Sequence, residues 1–400
     1  MLSSARYPAI ELGVAGPDWV EVELRALDAR GLLRDPSDAS ARGLAEGAAR
    51  ELGVPFLDVS SNDYLGFGRR DVSRETLNLP PPCPQGAGAS RLVHGTHPSH
   101  TTLEETLARW VHLPSALLFT SGYAANSGII PALATDQDAI FSDSLNHASI
   151  IDGCRLARAK TVIYPHLDLP ALRASLLATP ARHRWVITET YFSMDGDTPD
   201  LPALRSLCDE LSASLLVDEA HALGIFGPAG SGRSAAAGIA PDVLVGTLGK
   251  ALGLQGAFVA APHPIRTWLW NRARTFVYST APSPLLAHLL HHTILHAQDA
   301  DAARDTLHAS ADRVRQDLLA AGLTLPPGNT GPIIPIVLGS PDRALRAATR
   351  LRAQGILAQA IRPPTVPPDT SRLRITIPAT LSHQNLAYLI PRLIEACAAS

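Results

Sequence analysis

Lys250 lies in Val245-Gly-Thr247-Leu-Gly249-Lys250-Ala-Leu-Gly253, an apolar and glycine-rich stretch, and it is one of only two lysines among 34 Lys and Arg residues. A guanidinium cannot be deprotonated in a protein. An ammonium in a desolvated pocket can lose its proton and become a nucleophilic amine. That amine is what a Schiff base with an aldehyde cofactor requires. The other lysine, Lys160, follows Arg155-Leu-Ala-Arg-Ala and reads as a solvated cation.

A second chemical signal is Leu216-Val-Asp218-Glu-Ala-His221-Ala-Leu-Gly224, where an acid ends an apolar run and a histidine follows. The string Asp-Glu-Ala-His also occurs in helicases, but those need a phosphate loop G-x-x-x-x-G-K-[ST]. Before the only Gly-Lys pair, Leu244 stands where the first glycine should be, and Ala251 stands where Ser or Thr should follow. Asp218 instead suits pyridoxal phosphate, whose ring nitrogen needs a carboxylate so that the pyridinium can withdraw electrons. His221 is then in reach of the ring's phenolic oxygen. Thr120-Ser-Gly122-Tyr123-Ala-Ala-Asn126 joins a strand to a helix and offers free N–H groups to a phosphate, with the Thr247 hydroxyl completing the cup. His147, in Ser142-Asp-Ser-Leu-Asn146-His147, is placed to stack on a cofactor ring or to act as an acid beside it. The pair His97-x-x-His100 has no acid or cysteine cluster to complete a metal site, and no G-x-S-x-G elbow supports an α/β-hydrolase.

The elements that must carry these residues follow from hydrophobic patterning. Apolar runs at Ala116–Phe119, Ala139–Phe141, Thr161–Tyr164, Trp185–Thr188, Leu215–Val217, Val243–Val245 and Ala257–Ala260 alternate with helical segments. Continuous apolar runs between helices are strands buried on both faces, so the class is α/β with a mostly parallel central sheet. Ligands of such sheets sit beyond the carboxyl ends of the strands, where Asp143, Glu189, Asp218 and Thr247 fall. Thr101-Thr102 before Glu104-Glu105 predicts a capping box opening a helix. Residues 1–60 read as an amphipathic N-terminal arm, with Trp19, Val22, Leu24, Leu27 and Leu32 near helical spacing. Residues 61–295 read as the large cofactor-binding domain, with a turn-rich entry that includes Pro80-Pro-Pro-Cys-Pro84. Residues 296–400 read as a smaller α+β domain.

Composition sets the outer limits. A hydrophobic fraction of 46% with 18% charged residues describes a well-buried globular chain. The net charge of −3 gives no electrostatic footprint for nucleic acid or an anionic membrane. Four scattered cysteines without a C-x-x-C pair read as reduced thiols. With no secretory signal and no apolar span, a cytoplasmic, soluble protein is expected.

These blocks resemble the α-oxoamine synthases, a family of fold-type I pyridoxal 5′-phosphate enzymes. The resemblance runs from Ser61-Asn-Asp-Tyr-Leu-Gly66 through Gly88-Ala-Ser-Arg-Leu92, Thr120–Asn126, Asp143–Ser149 and Glu189-Thr-Tyr-Phe-Ser193-Met-Asp-Gly196. It continues through Val217–Gly224, Gly246–Gly253 and Tyr278-Ser279-Thr280. It implies that Lys250 binds the cofactor aldehyde, Asp218 pairs with the pyridine nitrogen, and Ser193 and His221 contact the ring oxygen. Gly122, Tyr123 and Thr247 face the phosphate and His147 stacks on the ring. In this family Ser279 and Thr280 reach the phosphate of a neighbouring subunit, which implies a homodimer. Arg362 is expected to bind an amino-acid carboxylate, Thr365 to line the acyl site and Arg34 to meet the acyl chain's far end.

Ala360-Ile-Arg362-Pro-Pro-Thr365-Val-Pro367 with Arg372-Leu-Arg374 is similar to the branch that condenses L-alanine with a pimeloyl thioester, on coenzyme A or an acyl-carrier protein, on the way to biotin. The alternatives are a sister enzyme using glycine and another acyl thioester, and a non-catalytic subunit that keeps the fold. The intact Lys250, Asp218 and His221 weigh against the last.

Overall fold

The computed structural model describes residues 18–33, 41–70 and 83–398. Arg34 and residues 80–82 of the proline cluster lie outside them. In chain order the strands are β1 (Leu57–Asp58), β2 (Ser115–Phe119), β3 (Ala139–Asp143), β4 (Lys160–Tyr164), β5 (Arg184–Glu189) and β6 (Ser214–Asp218). They continue with β7 (Val243–Thr247), β8 (Ala257–Ala261), β9 (Ile333–Gly339), β10 (Ile356–Leu357), β11 (Gln359–Ile361) and β12 (Ser371–Thr376).

The seven apolar runs are β2 to β8, and they form one sheet in the order β2-β8-β7-β6-β5-β3-β4. Strands β3 to β7 pair in parallel, while β8 runs antiparallel to β2 and β7. Successive side chains of a strand point to opposite faces, and here both faces are apolar. Phe141, Leu215, Val217 and Leu244 enter one core, while Ile140, Leu216, Val243 and Val245 enter the other. This explains why the strands read as unbroken apolar runs. The register sets Glu189 opposite Asp218 and Asp218 opposite Val245. The carboxyl ends of three adjacent strands therefore open onto one place, and β7 ends three residues before Lys250.

The second layer is an antiparallel sheet in the order β11-β12-β9, with a third core formed by residues such as Ile334, Leu373, Ile375 and Leu389. Leu57 and Val59 belong to that same core, and β1 pairs with β10. Helix Asp18–Ala29 exposes Trp19, Val22 and Leu24 in the single chain.

The expected capping box is displaced. The helix runs Pro98–Trp110, starting three residues before Thr101, and its N-cap is His97. His97 Nδ1 accepts from the Ser99 N–H at 3.2 Å, and His100 Nδ1 accepts from the His97 N–H at 3.1 Å. The two histidines thus do the work assigned to Thr and Glu. His100 Nε2 then donates to Pro282 O at 2.7 Å, tying down the chain just after Thr280. Glu104 turns inward instead, onto Arg91 at 2.8 and 3.2 Å and the Leu118 N–H at 3.0 Å.

The turn that carries Lys250 is fixed by a close backbone approach. Gly253 has φ +67°, and a Cβ there would stand 2.6 Å from both Gly68 Cα and the Phe67 carbonyl carbon. We expect Gly253→Ala to cost on the order of 2–4 kcal/mol, combining left-handed strain with overpacking against backbone. Urea unfolding checks this, and a midpoint unchanged from the parent would show that the two turns are not in contact.

Candidate active site

Asp218 ends β6 and is buried, and each of its oxygens is held. Asn126 Nδ2 donates to Oδ2 at 2.7 Å and the Ala220 N–H donates to Oδ1 at 2.8 Å. Neither donor is a cation, which leaves the carboxylate available to a cationic partner. Lys250, half-buried at the turn after β7, stands within the fields of Asp218 and Glu189. Burial pushes its ammonium down to about 8, the two carboxylates oppose this, and the Arg374 charge adds to it. An amine in that range is available as a nucleophile and base near neutral pH.

His221 is buried beside it. Tyr64 Oη lies 2.7 Å from His221 Nδ1. Burial, then the Lys250 charge, holds the imidazole well below its usual range, so the ring is neutral. With the phenol as donor, the ring proton sits on Nε2. His147 caps helix Ala148–Leu156 through the Ser149 N–H at 3.2 Å, and its own N–H donates to Glu189 Oε1 at 2.7 Å. Its ring remains open to solvent in the single chain.

An anion cradle adjoins these groups. Ser121 caps helix Gly122–Leu133, accepting from the Ala124 N–H at 3.1 Å. The first-turn N–H groups of Gly122 and Tyr123 have no helical partner. A Cβ on Gly122 would lie 3.9 Å from Thr247 Cβ, which sets the Thr247 side chain over the same helix end. Tyr123 is 47% exposed and its hydroxyl donates to Asp152.

Four of the remaining expected residues line two small clefts. Ser193, Leu145 and Thr365 line one small cleft. Ser279 and Thr280 line another with Arg91, Thr120 and Phe276, a group that does not include Lys250. Arg362 is buried, and its Nη1 donates to Gly31 O. Arg34 lies outside the described residues.

Sequence reasoning gave no role to Asn126, Tyr64, Glu189 or Arg374. Arg374 Nε donates to Ser193 O at 2.6 Å and Nη2 to Asn62 Oδ1 at 3.0 Å. Arg372 Nη1 donates to Asp195 Oδ1 at 2.6 Å and to Met194 O at 3.1 Å. The signal was present: two buried arginines at alternate positions of one strand share a face, and here both grip the turn that holds Ser193. Among the described residues no group of three or more His, Cys, Asp or Glu could hold a metal ion, and no helix is long and apolar enough to cross a membrane. The donor set fits a phosphorylated aldehyde with an aromatic nitrogen: one amine, one carboxylate held only by neutral donors among the described residues, one helix N-terminus and two histidines.

The profile of aminotransferase class I and II matches residues 54–393. The 8-amino-7-oxononanoate synthase of Anaeromyxobacter dehalogenans strain 2CP-1 is 45% identical over 368 residues, covering 90% of this chain and 91% of its own. The solved 8-amino-7-oxononanoate synthase of Francisella tularensis superposes with TM-score 0.74 at 25% identity, covering 86% of this chain and 98% of its own. Serine palmitoyltransferase from S. paucimobilis, solved as a lysine-to-alanine variant with a bound PLP–myriocin aldimine, superposes with TM-score 0.79 at 25% identity, covering 92% of this chain and 99% of its own.

Glu189 offers a test of the site's electrostatics. Burial, then the Asp218 charge, pushes its carboxyl from 4.5 up to about 8, with Lys250 opposing. Between those values the folded chain holds a proton that the unfolded chain releases, so stability falls as pH rises through the window. Glu189→Gln removes that titration. In ligand-free protein the melting temperature of the variant relative to the parent should climb from about pH 5 to about pH 8.5. A difference independent of pH would mean that Glu189 is ionised throughout.

Proposed function

The chain belongs to the class I and II aminotransferase family, and from that premise we propose that it is a pyridoxal-phosphate-dependent acyltransferase. It condenses L-alanine with a pimeloyl thioester to give 8-amino-7-oxononanoate, a step of biotin biosynthesis. The observation that carries this reading is Lys250 within the fields of Asp218 and Glu189, in a chain 45% identical to a synthase of that name over nine-tenths of its length.

When bound, pyridoxal phosphate supplies an aldehyde that captures amines and a pyridinium that draws electrons from the amino-acid Cα. The chain's residues do the rest. Lys250 would hold the cofactor aldehyde, and its amine, lowered to about 8, would be the base for the substrate α-proton. Asp218, steadied by Asn126 and Ala220, keeps the ring nitrogen protonated. His221, fixed at Nδ1 by Tyr64, and Ser193 would hold the ring oxygen, and His147 would cover the ring. Gly122, Tyr123 and Thr247 receive the phosphate. Arg362 takes the alanine carboxylate through its guanidinium fork, Thr365 lines the acyl path, and Arg34 is assigned to the far carboxylate. Over the whole reaction one carbon–carbon bond forms, the thiol leaves, and the alanine carboxyl departs as carbon dioxide.

Ser279 and Thr280 line a cleft separate from Lys250, which supports a homodimer in which they serve the neighbouring subunit's phosphate. An acyl-carrier protein as bearer of the thioester, and a cytoplasmic setting, belong to the same proposal.

Purified protein incubated with L-alanine or glycine and with acetyl, succinyl and pimeloyl thioesters should release, by mass analysis, chiefly the alanine–pimeloyl product. Each buried methylene of the acyl chain contributes roughly 0.8 kcal/mol toward that preference. Borohydride should fix the cofactor on Lys250. Equal or better use of glycine or of the short thioesters would overturn the substrate assignment, and a label on Lys160 would overturn the cofactor assignment.

A further inference from the structure

His166 lies in Tyr164-Pro-His166-Leu-Asp168, just past β4, and no step above uses it. Its Nδ1 is 2.8 Å from Asp143 Oδ1 and its Nε2 is 2.9 Å from Asp197 Oδ2. Both carboxylates are buried. A neutral imidazole has one N–H and could satisfy only one of them. With an acceptor-only group at each nitrogen, the ring must carry both protons. Its edge also packs on Phe192, with ring centroids 4.5 Å apart at 87°.

Each carboxylate belongs to a turn at the site. Asp143 ends β3 and accepts from the Leu145 N–H at 2.8 Å and the Leu167 N–H at 3.0 Å, shaping the turn that leads to His147. Asp197 O accepts from the Phe192 N–H at 3.0 Å, closing the turn that holds Ser193. Leu145 of the first turn and Ser193 of the second line the same cleft, together with Thr365.

We infer that His166 is a positioning residue, a permanently protonated bridge from Asp143 to Asp197 that sets the separation of the His147 and Ser193 turns. It acts through the two carboxylates and lies outside the set of residues that line the cleft. The inference rests on the cofactor reading only for its consequence in catalysis; the bridge is a property of the chain alone.

The titratable neighbours are Asp143 of β3, Asp197 of the turn after β5, Tyr164 at the end of β4, and Glu189 of β5 beyond Asp143. Burial keeps the Tyr164 phenol neutral, and burial also favours neutral Glu189. Burial alone would lower the His166 pKa, but the two carboxylates outweigh it and raise it to about 10. Loss of the ring proton would leave two buried carboxylates facing one donor.

Histidine-ring nitrogen NMR on the full chain, with and without pyridoxal phosphate, tests the bridge, and His166→Gln identifies the signal. The doubly protonated signature should persist at pH 8.5, where an ordinary histidine is neutral. Asp197→Asn keeps an acceptor but removes a charge, so proton affinity of the ring should fall tenfold or more. The same variant should acquire an alkaline decline in kcat/KM for the condensation, recovered on lowering the pH. His166→Gln should lose tenfold or more in kcat/KM and in cofactor affinity at every pH, with its circular dichroism unchanged. A neutral His166 at pH 8.5 in the parent overturns the proposal. So does a His166→Gln variant with parental cofactor affinity and kinetics. If His166→Gln does not fold, the Asp197→Asn pH profile decides alone. A parent that binds the cofactor but forms no amino ketone would refute the proposed reaction, while the ring signature and the variants' cofactor affinities would still judge the bridge.

Discussion

An ammonium confined with two carboxylates in a desolvated space is the constraint on which the rest of this molecule turns. Burial opposes every charge in that space, raising the Glu189 carboxyl and lowering the Lys250 ammonium, while the attraction between them opposes both shifts. Desolvation prevails for each, so both the acid and the amine lie near 8. Asp218, ending the adjacent strand, accepts two hydrogen bonds from neutral donors. Its carboxylate acts on an amine that can exchange its proton near neutral pH.

The fold exists around this spot in a specific way. Parallel pairing of β5, β6 and β7 brings their carboxyl ends level, and the register puts Glu189 beside Asp218. The C-terminal layer reaches in from the other side through Arg372 and Arg374, whose guanidiniums hold the carbonyls and the Asp195 carboxylate of the 193–195 turn. Among the described residues Arg374 makes no ion pair, since its partners are a carbonyl, an amide oxygen and a hydroxyl. Its unneutralised charge acts on both Lys250 and His221 in the direction that keeps them unprotonated. The two layers therefore cooperate on the charge state of the site as well as on its shape.

How much of this was legible in the sequence depends on the range of the interaction. The seven central strands were readable because strands buried on both faces leave continuous apolar runs. Lys250, Asp218 and His221 were readable because their local surroundings are unusual for their residue types. The Pro98–Trp110 helix start was misread because a Thr-Thr-x-Glu pattern resembles a cap, whereas Glu104 is needed by Arg91 thirteen residues earlier. Tyr64 meeting His221 and Arg374 meeting Ser193 join residues 157 and 181 positions apart, which no local pattern encodes. His97 and His100 were excluded as metal ligands from sequence, and the reason they are paired emerged only with the backbone N–H groups they accept.

The central claim is that this arrangement lowers the Lys250 ammonium to about 8, so that an appreciable fraction is neutral amine near physiological pH. Competitive labelling of the ligand-free protein with a trace acylating reagent, followed by peptide mass analysis across pH, reads the ionisation of each lysine. The chain supplies its own control, since its only two lysines are Lys250 in the site and Lys160 on a solvent-exposed strand position. Lys250 should gain reactivity with a midpoint of about 8, lowered from the ordinary lysine value of 10.5. A Lys250 midpoint coincident with that of Lys160 would contradict the account.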